Sequence, residues 1–254
     1  MSIGQLFIIG GNIAVANPNI LPGVQVWYNA DIANSTNFGS NVPTNGGGVK
    51  TWTDRSNIGH DANQSVANKQ PTWNSNQKNG YGTIRFDGSN DLLSINPLTG
   101  WAVSLGACCI FMVARSLALS GTPTMTTSDT GGFNFSWNTN WQITAASGTG
   151  TSSVPGDTTN YHLFTLLFDG SQTGNDNRLK FRYDGAQQTL NFGATTVGTT
   201  TSAGAGSIYM GCDQNTANFW NGEIAEYVFY NVALSNSQVS QAEAYFKQHW
   251  ALSF

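Results

Sequence analysis

Apolar and polar residues alternate with a period of two along most of this chain, and turn-forming residues break the alternation at short intervals. Such a pattern predicts β-strands with one buried and one wet face. The clearest runs are VQVWY (24–28), YGTIRF (81–86), ACCIFMVAR (107–115), FNFSW (133–137), YHLFTLLFD (161–169), LKFRYDG (179–185), SIYMGC (207–212) and EIAEYVFY (223–230). From Arg178 to Tyr183 the pattern is plainest: Leu179, Phe181 and Tyr183 fall on one side, Arg178, Lys180 and Arg182 on the other. Asp184-Gly185 then predicts a tight hairpin turn, with QQTLNF returning alongside. ACCIFMVA and LFTLLF show no alternation and predict strands buried on both faces, as central strands of two packed sheets or as strands with one face covered by a helix.

One segment has helical spacing instead. In LSNSQVSQAEAYFKQHW (234–250), Ser235 and Gln238 stand in capping-box positions, and Val239, Ala242, Phe246 and Trp250 form one stripe. Polar stretches at 34–48, 122–132, 146–160 and 193–206 read as long loops, a kind usually functional or mobile. No internal repeat and no linker interrupts the pattern, so a single core is expected over residues 21–254, preceded by an arm over 1–20.

Composition sharpens this picture. Only 9% of the residues are charged, whereas 8 Trp, 14 Phe and 8 Tyr supply enough apolar area to exclude disorder. A net charge of −4 and ten scattered Lys and Arg lack the footprint of nucleic-acid binding. No apolar run is long enough to span a bilayer. The opening MSIGQLFIIGGNIAVANP has no positive n-region and reads as a docking arm or strand (Ile3 to Ala16) rather than a secretory signal. Cys108 and Cys109 face opposite sides of one strand, and with Cys212 they predict three reduced, buried thiols of a chain made in a reducing compartment.

Four constellations could carry chemistry. WTDRSNIGHDANQ (52–64) offers Asp54, His60 and Asp61 as an acid/base or metal set. The favoured reading is structural, with Trp52 anchoring the loop, Asp54 and Ser56 capping backbone N–H groups and Gly59 supplying an unusual conformation. FDGSND offers Asp87, Asn90 and Asp91 as a weak Ca²⁺ loop, too poor in oxygen ligands to outweigh a turn. In GEIAEYV, Glu223 and Glu226 are three apart and are expected on opposite faces, unable to cooperate as a hydrolytic pair. Glu226 is expected to share a face with Ile224 and Val228 as a buried acid held by backbone or an indole. Lastly, FNFSWNTNWQI sets Trp137 and Trp141 around Asn138 and Asn140 at a hairpin tip, rings beside amides as glycan recognition uses them. No nucleophile elbow, phosphate loop or dinucleotide fingerprint occurs, and no cofactor is expected.

Three segments carry a resemblance: VQVWYNADIANS with VKTWTDRSNIGHDANQSVANKQPTW, IRFDGSNDLLSI, and NFWNGEIAEYVFYNVALSNSQVSQAEAYFKQHWAL. They resemble the concanavalin A-like lectin/glucanase superfamily, in particular laminin-G-like domains of the bacterial and phage type. The resemblance implies a two-sheet antiparallel jelly roll with one C-terminal helix. It also implies that Trp52, Asp54, Gly59, Asp87, Asp91, Gly222 and Glu226 belong to structural motifs. The fold hosts lectins, hydrolases, lyases and structural modules alike. The expectation is a non-catalytic bacteriophage capsid decoration or fibre component, made in the host cytoplasm, with a lectin-like surface. Its arm would dock on other virion proteins and the chain would self-associate. The alternatives are a secreted or cell-surface glycan-binding lectin and, less favoured, a glycoside hydrolase or polysaccharide lyase.

Overall fold

Every strand read from the alternation is present, with ends displaced by a residue or two. The computed structural model describes residues 8–9, 12–13, 17–31, 38, 43–98, 100–128, 132–201 and 206–254. Eighteen strands form two antiparallel sheets of nine, packed as a jelly-roll sandwich with one long helix near the C-terminus. The first sheet runs Ala186–Gln188, Leu179–Tyr183, His162–Asp169, Ala107–Ser116, Asn221–Tyr230, Tyr81–Asp87, Thr72–Lys78, Gly47–Gly48, and Val24–Asn29 also pairs with Asn221–Tyr230. The second runs Leu190–Asn191, Gly148–Ser152, Asn140–Ala145, Phe133–Asn138, Thr124–Ser128, Ile208–Met210, Leu93–Ile95, Ala62–Asn63, Thr51–Trp52.

Two cores explain the runs without alternation. Ile110 and Met112 join Phe135, Ile143 and Phe229 between the sheets, while Phe111 and Val113 face the other way. There the helix Asn236–His249 lays Val239, Ala242 and Phe246 against them, with Trp250 just beyond its end. The Ala107–Ser116 strand is thus the middle of three layers, and it needs apolar residues at every position. Cys108 and Cys109 fall into opposite cores, and both are unpaired and buried, as is Cys212.

Local chemistry fixes the ends. Ser235 Oγ accepts from Gln238 N (3.3 Å) while Gln238 Oε1 accepts from Ser235 N (2.8 Å), a reciprocal cap that starts the helix. Asp184 and Gly185 take φ of 51° and 73° at the hairpin, and Ala186–Gln188 returns beside Leu179–Tyr183. Leu190–Asn191 then crosses to the second sheet.

Two segments read as loops contain strands. Thr124–Ser128 and Gly148–Ser152 lie inside 122–132 and 146–160. Their Gly, Ser and Thr look like loop residues, but small residues are required here. A Cβ at Gly148 would lie 2.5 Å from Val197 Cα, and one at Gly150 2.9 Å from Leu190 Cβ. The proposed arm, Ile3 to Ala16, lies outside the described residues apart from a short antiparallel pair, Ile8–Ile9 with Asn12–Ile13. Among the described residues no helix is long and apolar enough to cross a membrane.

Candidate functional site

Around Asp54 the chain builds a loop knot. Its Oδ1 accepts from Trp27 N (2.9 Å) and Ser56 N (2.8 Å); its Oδ2 accepts from Ser56 Oγ (2.6 Å), Gly59 N (3.1 Å) and His60 N (3.0 Å). Asp61 is turned to Asp54 N (2.8 Å), and His60 donates from Nδ1 to the Gln25 carbonyl (3.0 Å) while stacking on Trp101. Trp52, fully buried, donates to Asn29 O (3.2 Å). Every carboxylate in this stretch holds backbone, an arrangement that secures a loop and presents nothing to a substrate.

The same holds at Asp87, whose Oδ1 accepts from the N–H groups of Ser89 (2.8 Å), Asn90 (3.1 Å) and Asp91 (3.3 Å). Burial opposes ionisation of Asp87, but these donors outweigh it and hold the carboxyl below its usual range. Asp91 answers by accepting from Asp87 N (3.0 Å), and burial together with the Asp87 charge raises its pKa to about 6. Among the described residues no group of three or more His, Cys, Asp or Glu is placed to hold a metal ion.

Glu223 and Glu226 depart from their expected placement. A bulge sets Val113 opposite Glu226 but Ala114 opposite Ile224, so Ala225 is an extra residue and the alternation skips a step. Ile224 points between the sheets; Ala225 and Val228 point to the helix layer. Both glutamates therefore face the helix side, each closed in its own set of partners. Glu223 accepts from Arg115 Nη2 (2.7 Å) and from the Tyr161 hydroxyl, with Arg85 at 3.9 Å. Glu226 accepts from Trp27 Nε1 (2.5 Å), Trp250 Nε1 (2.5 Å) and the Tyr245 hydroxyl (3.0 Å). Burial raises the Glu226 pKa against the pull of His249 and these ring donors. Gly222, just before, lies flat under Trp220, whose indole a Cβ would meet at 2.1 Å.

Trp137 and Trp141 sit opposite each other across the expected hairpin, ring centroids 5.1 Å apart and edge-on. Trp141 is 1% exposed and packs against Phe164, so it belongs to the inter-sheet core and has no face to offer a ligand. Trp137 is partly covered, with Gly156 pressed against its ring. Asn138 is exposed and Asn140 half-exposed, but their amides point to the opposite side of the sheet from the two rings.

That opposite side is the most distinctive surface in the molecule. None of the nine strands of the second sheet contains Asp, Glu, Lys, Arg or His, whereas the first sheet carries Arg85, Arg115, His162, Lys180, Arg182, Glu223 and Glu226 among others. Pairing registers align residues of that side in one transverse row: Thr51, Asn63, Ser94, Tyr209, Thr127, Asn134, Thr144 and Thr149. Thr127 is buried and spends its hydroxyl on the Ser128 and Phe133 carbonyls, so the exposed groups lie on either side of it. Thr51 Oγ1 donates to Asn63 Oδ1 (2.9 Å), and the Thr144 and Thr149 hydroxyls lie 2.9 Å apart. Beside it runs a second row, Ser136, Gln142, Thr151 and Asn191, continued by the buried Thr124. Tyr209 places one half-exposed ring near the middle. At ~4.8 Å per strand the longer row extends over ~30 Å. It offers hydroxyl and amide groups, one aromatic face and no fixed charge. Sequence inspection missed it because two of its strands were taken for loops; the Gly-Thr-Gly-Thr alternation at 148–151 was the available signal.

No family model matches the sequence, and no curated protein matches it. Solved structures share its architecture. Trypanosoma rangeli sialidase superposes with a TM-score of 0.56 at 15% identity over 89% of this chain, which spans 33% of that enzyme. Domain 4 of AbnA, a GH43 extracellular arabinanase from Geobacillus stearothermophilus in complex with arabinotriose, gives 0.55 at 14% over 87% of this chain and 98% of the domain. The receptor binding domain of botulinum neurotoxin D gives 0.58 at 12% over 89% and 53% of the two chains. These similarities establish a shared β-sandwich fold.

Proposed function

We propose that the chain is a non-catalytic, lectin-like module that binds a neutral glycan on the outer face of the charge-free sheet. The carrying observation is the transverse row from Thr51 to Thr149, with Tyr209 at its middle. A sugar chain offers hydroxyls that pair with amides and hydroxyls, and C–H faces that rest on an aromatic ring. Fixed charges would add desolvation and no selectivity for such a ligand. The AbnA domain, which matches over nearly its whole length, holds a neutral trisaccharide and lends support.

The non-catalytic part of the reading is supported by the glutamates. Most glycoside hydrolases use two carboxyl groups open to one bond. Glu223 and Glu226 are 1% and 0% exposed, and each is enclosed by its own donors. A virion setting, as a decoration or fibre component of a bacteriophage with self-association, stays part of the proposal. Its support is three buried, unpaired thiols on a protein whose polar surface suits extracellular contact.

The test is affinity electrophoresis in gels containing neutral polysaccharides (arabinan, xylan, mixed-linkage glucan) and, separately, an acidic one (polygalacturonate). Retardation by a neutral polymer, weakened tenfold or more in Tyr209→Ala, is expected. Indifference to all neutral polymers, or equal retardation of Tyr209→Ala, would overturn the assignment of this face. Release of reducing sugar from the retarding polymer would overturn the non-catalytic reading.

A further inference from the structure

We infer that the molecule has a second saccharide site on its opposite side, a half-open cleft for a neutral mono- or disaccharide between the helix and the edge of the first sheet. The helix Asn236–His249 does not cover the whole sheet. Between its first turns and the strands Leu179–Tyr183 and Ala186–Gln188 lies a cavity of about 570 Å³. That size falls in the range of small-molecule sites. Leu167, Leu179 and Val239 contribute apolar surface to it, and Asn236, Ser240 and Thr189 bring polar side chains. A smaller cleft of about 250 Å³ adjoins it and shares Leu167, Lys180 and Asn236 as a common wall.

What selects the ligand class is which groups are already engaged. Arg182 is committed to Glu243, with Nε to Oε1 at 2.7 Å and Nη2 to Oε2 at 2.9 Å, and to the Gly185 carbonyl. Lys180, Asn236, Ser240 and Thr189 make no side-chain hydrogen bond to another described residue. Their donors and acceptors remain available at the rim of the cleft. Charge does not favour an ion: Lys180 is balanced by Asp176 in the larger cleft and by Asp169 in the smaller. A compact polyol with an apolar ring face matches apolar walls ringed by amides, hydroxyls and charges of both signs.

The two sites would read different parts of a glycan. An open row across strands takes the interior of a polymer, whereas a cleft of this size takes a chain end or a free small sugar. Their combination would make each copy able to bridge two glycans, and linked sites raise avidity steeply.

Saturation-transfer NMR with the full chain and millimolar glucose, galactose, mannose, N-acetylglucosamine and lactose tests the inference. Transfer to at least one of these sugars is expected in the parent and in Tyr209→Ala, and its loss in Ser240→Trp, which fills the cleft from an exposed helix position. Lys180→Ala, a smaller change, should weaken the signal at least threefold. No transfer to any of the five, or transfer that survives both Ser240→Trp and Lys180→Ala, would overturn it. Loss in Tyr209→Ala alone would assign the small sugars to the open face and likewise overturn it.

Discussion

Glu223 and Glu226 project from the same side of one strand although they are three positions apart, because Ala225 forms a bulge opposite Val113 and Ala114. Neither is left as a free acid. Glu226 ties three elements together: Trp27 from the Val24–Asn29 strand, Tyr245 from the helix and Trp250 just after it. Glu223 joins Tyr161 to Arg115 of the neighbouring strand.

Replacing Glu226 should therefore damage the fold. Glu226→Ala leaves two indole N–H groups and a phenol without an acceptor in a buried site, at ~1–3 kcal/mol per orphaned donor. A loss of about 3 kcal/mol or more in urea unfolding is expected. Glu226→Gln, which keeps one acceptor oxygen, should lose less.

His162 makes stability depend on pH. It sits between two carboxylates, Nδ1 2.7 Å from Asp184 Oδ2 and Nε2 3.1 Å from Asp157 Oδ2, and stacks on Tyr183. Burial alone would lower its pKa, but the two carboxylates prevail and raise it above 6.5. A pKa raised by folding stabilises the folded chain fully below the unfolded value of ~6.5, and that contribution is lost as pH rises through the folded value. Melting temperature should fall from pH 6.5 upward in the parent, and His162→Gln should remove most of that fall. An unchanged slope in the variant would refute the assignment.

Two glycines should respond for different reasons. Gly222→Ala drives a methyl to 2.1 Å from the Trp220 indole in the central strand, and overpacking of this kind destabilises by ~1–3 kcal/mol or more. Gly59→Ala meets nothing within 4 Å, but it holds a φ of 96°, so only backbone strain of ~1–2 kcal/mol is expected. Thermal unfolding of both variants separates the two costs.

Trp141→Ala should unfold the protein before it reports on binding, since removing a buried indole costs ~3–5 kcal/mol. Trp137→Ala, at a partly covered ring, should cost less. Polysaccharide retardation that is lost in folded Trp137→Ala but kept in Tyr209→Ala would move the glycan site to the hairpin.

The thiols should stay silent until unfolding. Burial raises Cys108 and Cys212 to about 12 and Cys109 well above its usual value, so none forms a nucleophilic thiolate near neutrality. Ellman's reagent should label none of the three in the native protein and all three in denaturant.

Much of the architecture was legible along the chain. Alternation at 178–183, its absence in ACCIFMVA and the spacing of Ser235, Gln238, Val239 and Phe246 are consequences of local geometry. Each element has its own period, and the position of the core follows from it. The DG hairpin at 184–185 is equally local. Where side chains are small, the reading failed. Gly148–Ser152 looked like a loop because its glycines are required by Val197 and Leu190, which lie much further along the chain.

What the sequence determined by itself is therefore the strands, the helix that covers them and the poverty of charge, set by short-range periodicity and composition, while the two-sheet sandwich followed from the resemblance. Tertiary structure alone decided the rest. The bulge at Ala225 reversed the relation of Glu223 to Glu226, because one extra residue in a ladder shifts every later side chain to the other face. Pairing of strands remote in sequence gathered Thr51, Ser94, Tyr209, Asn134 and Thr149 into one row on strands that carry no charged residue. That row exists only through register between strands, which no local pattern in the chain specifies.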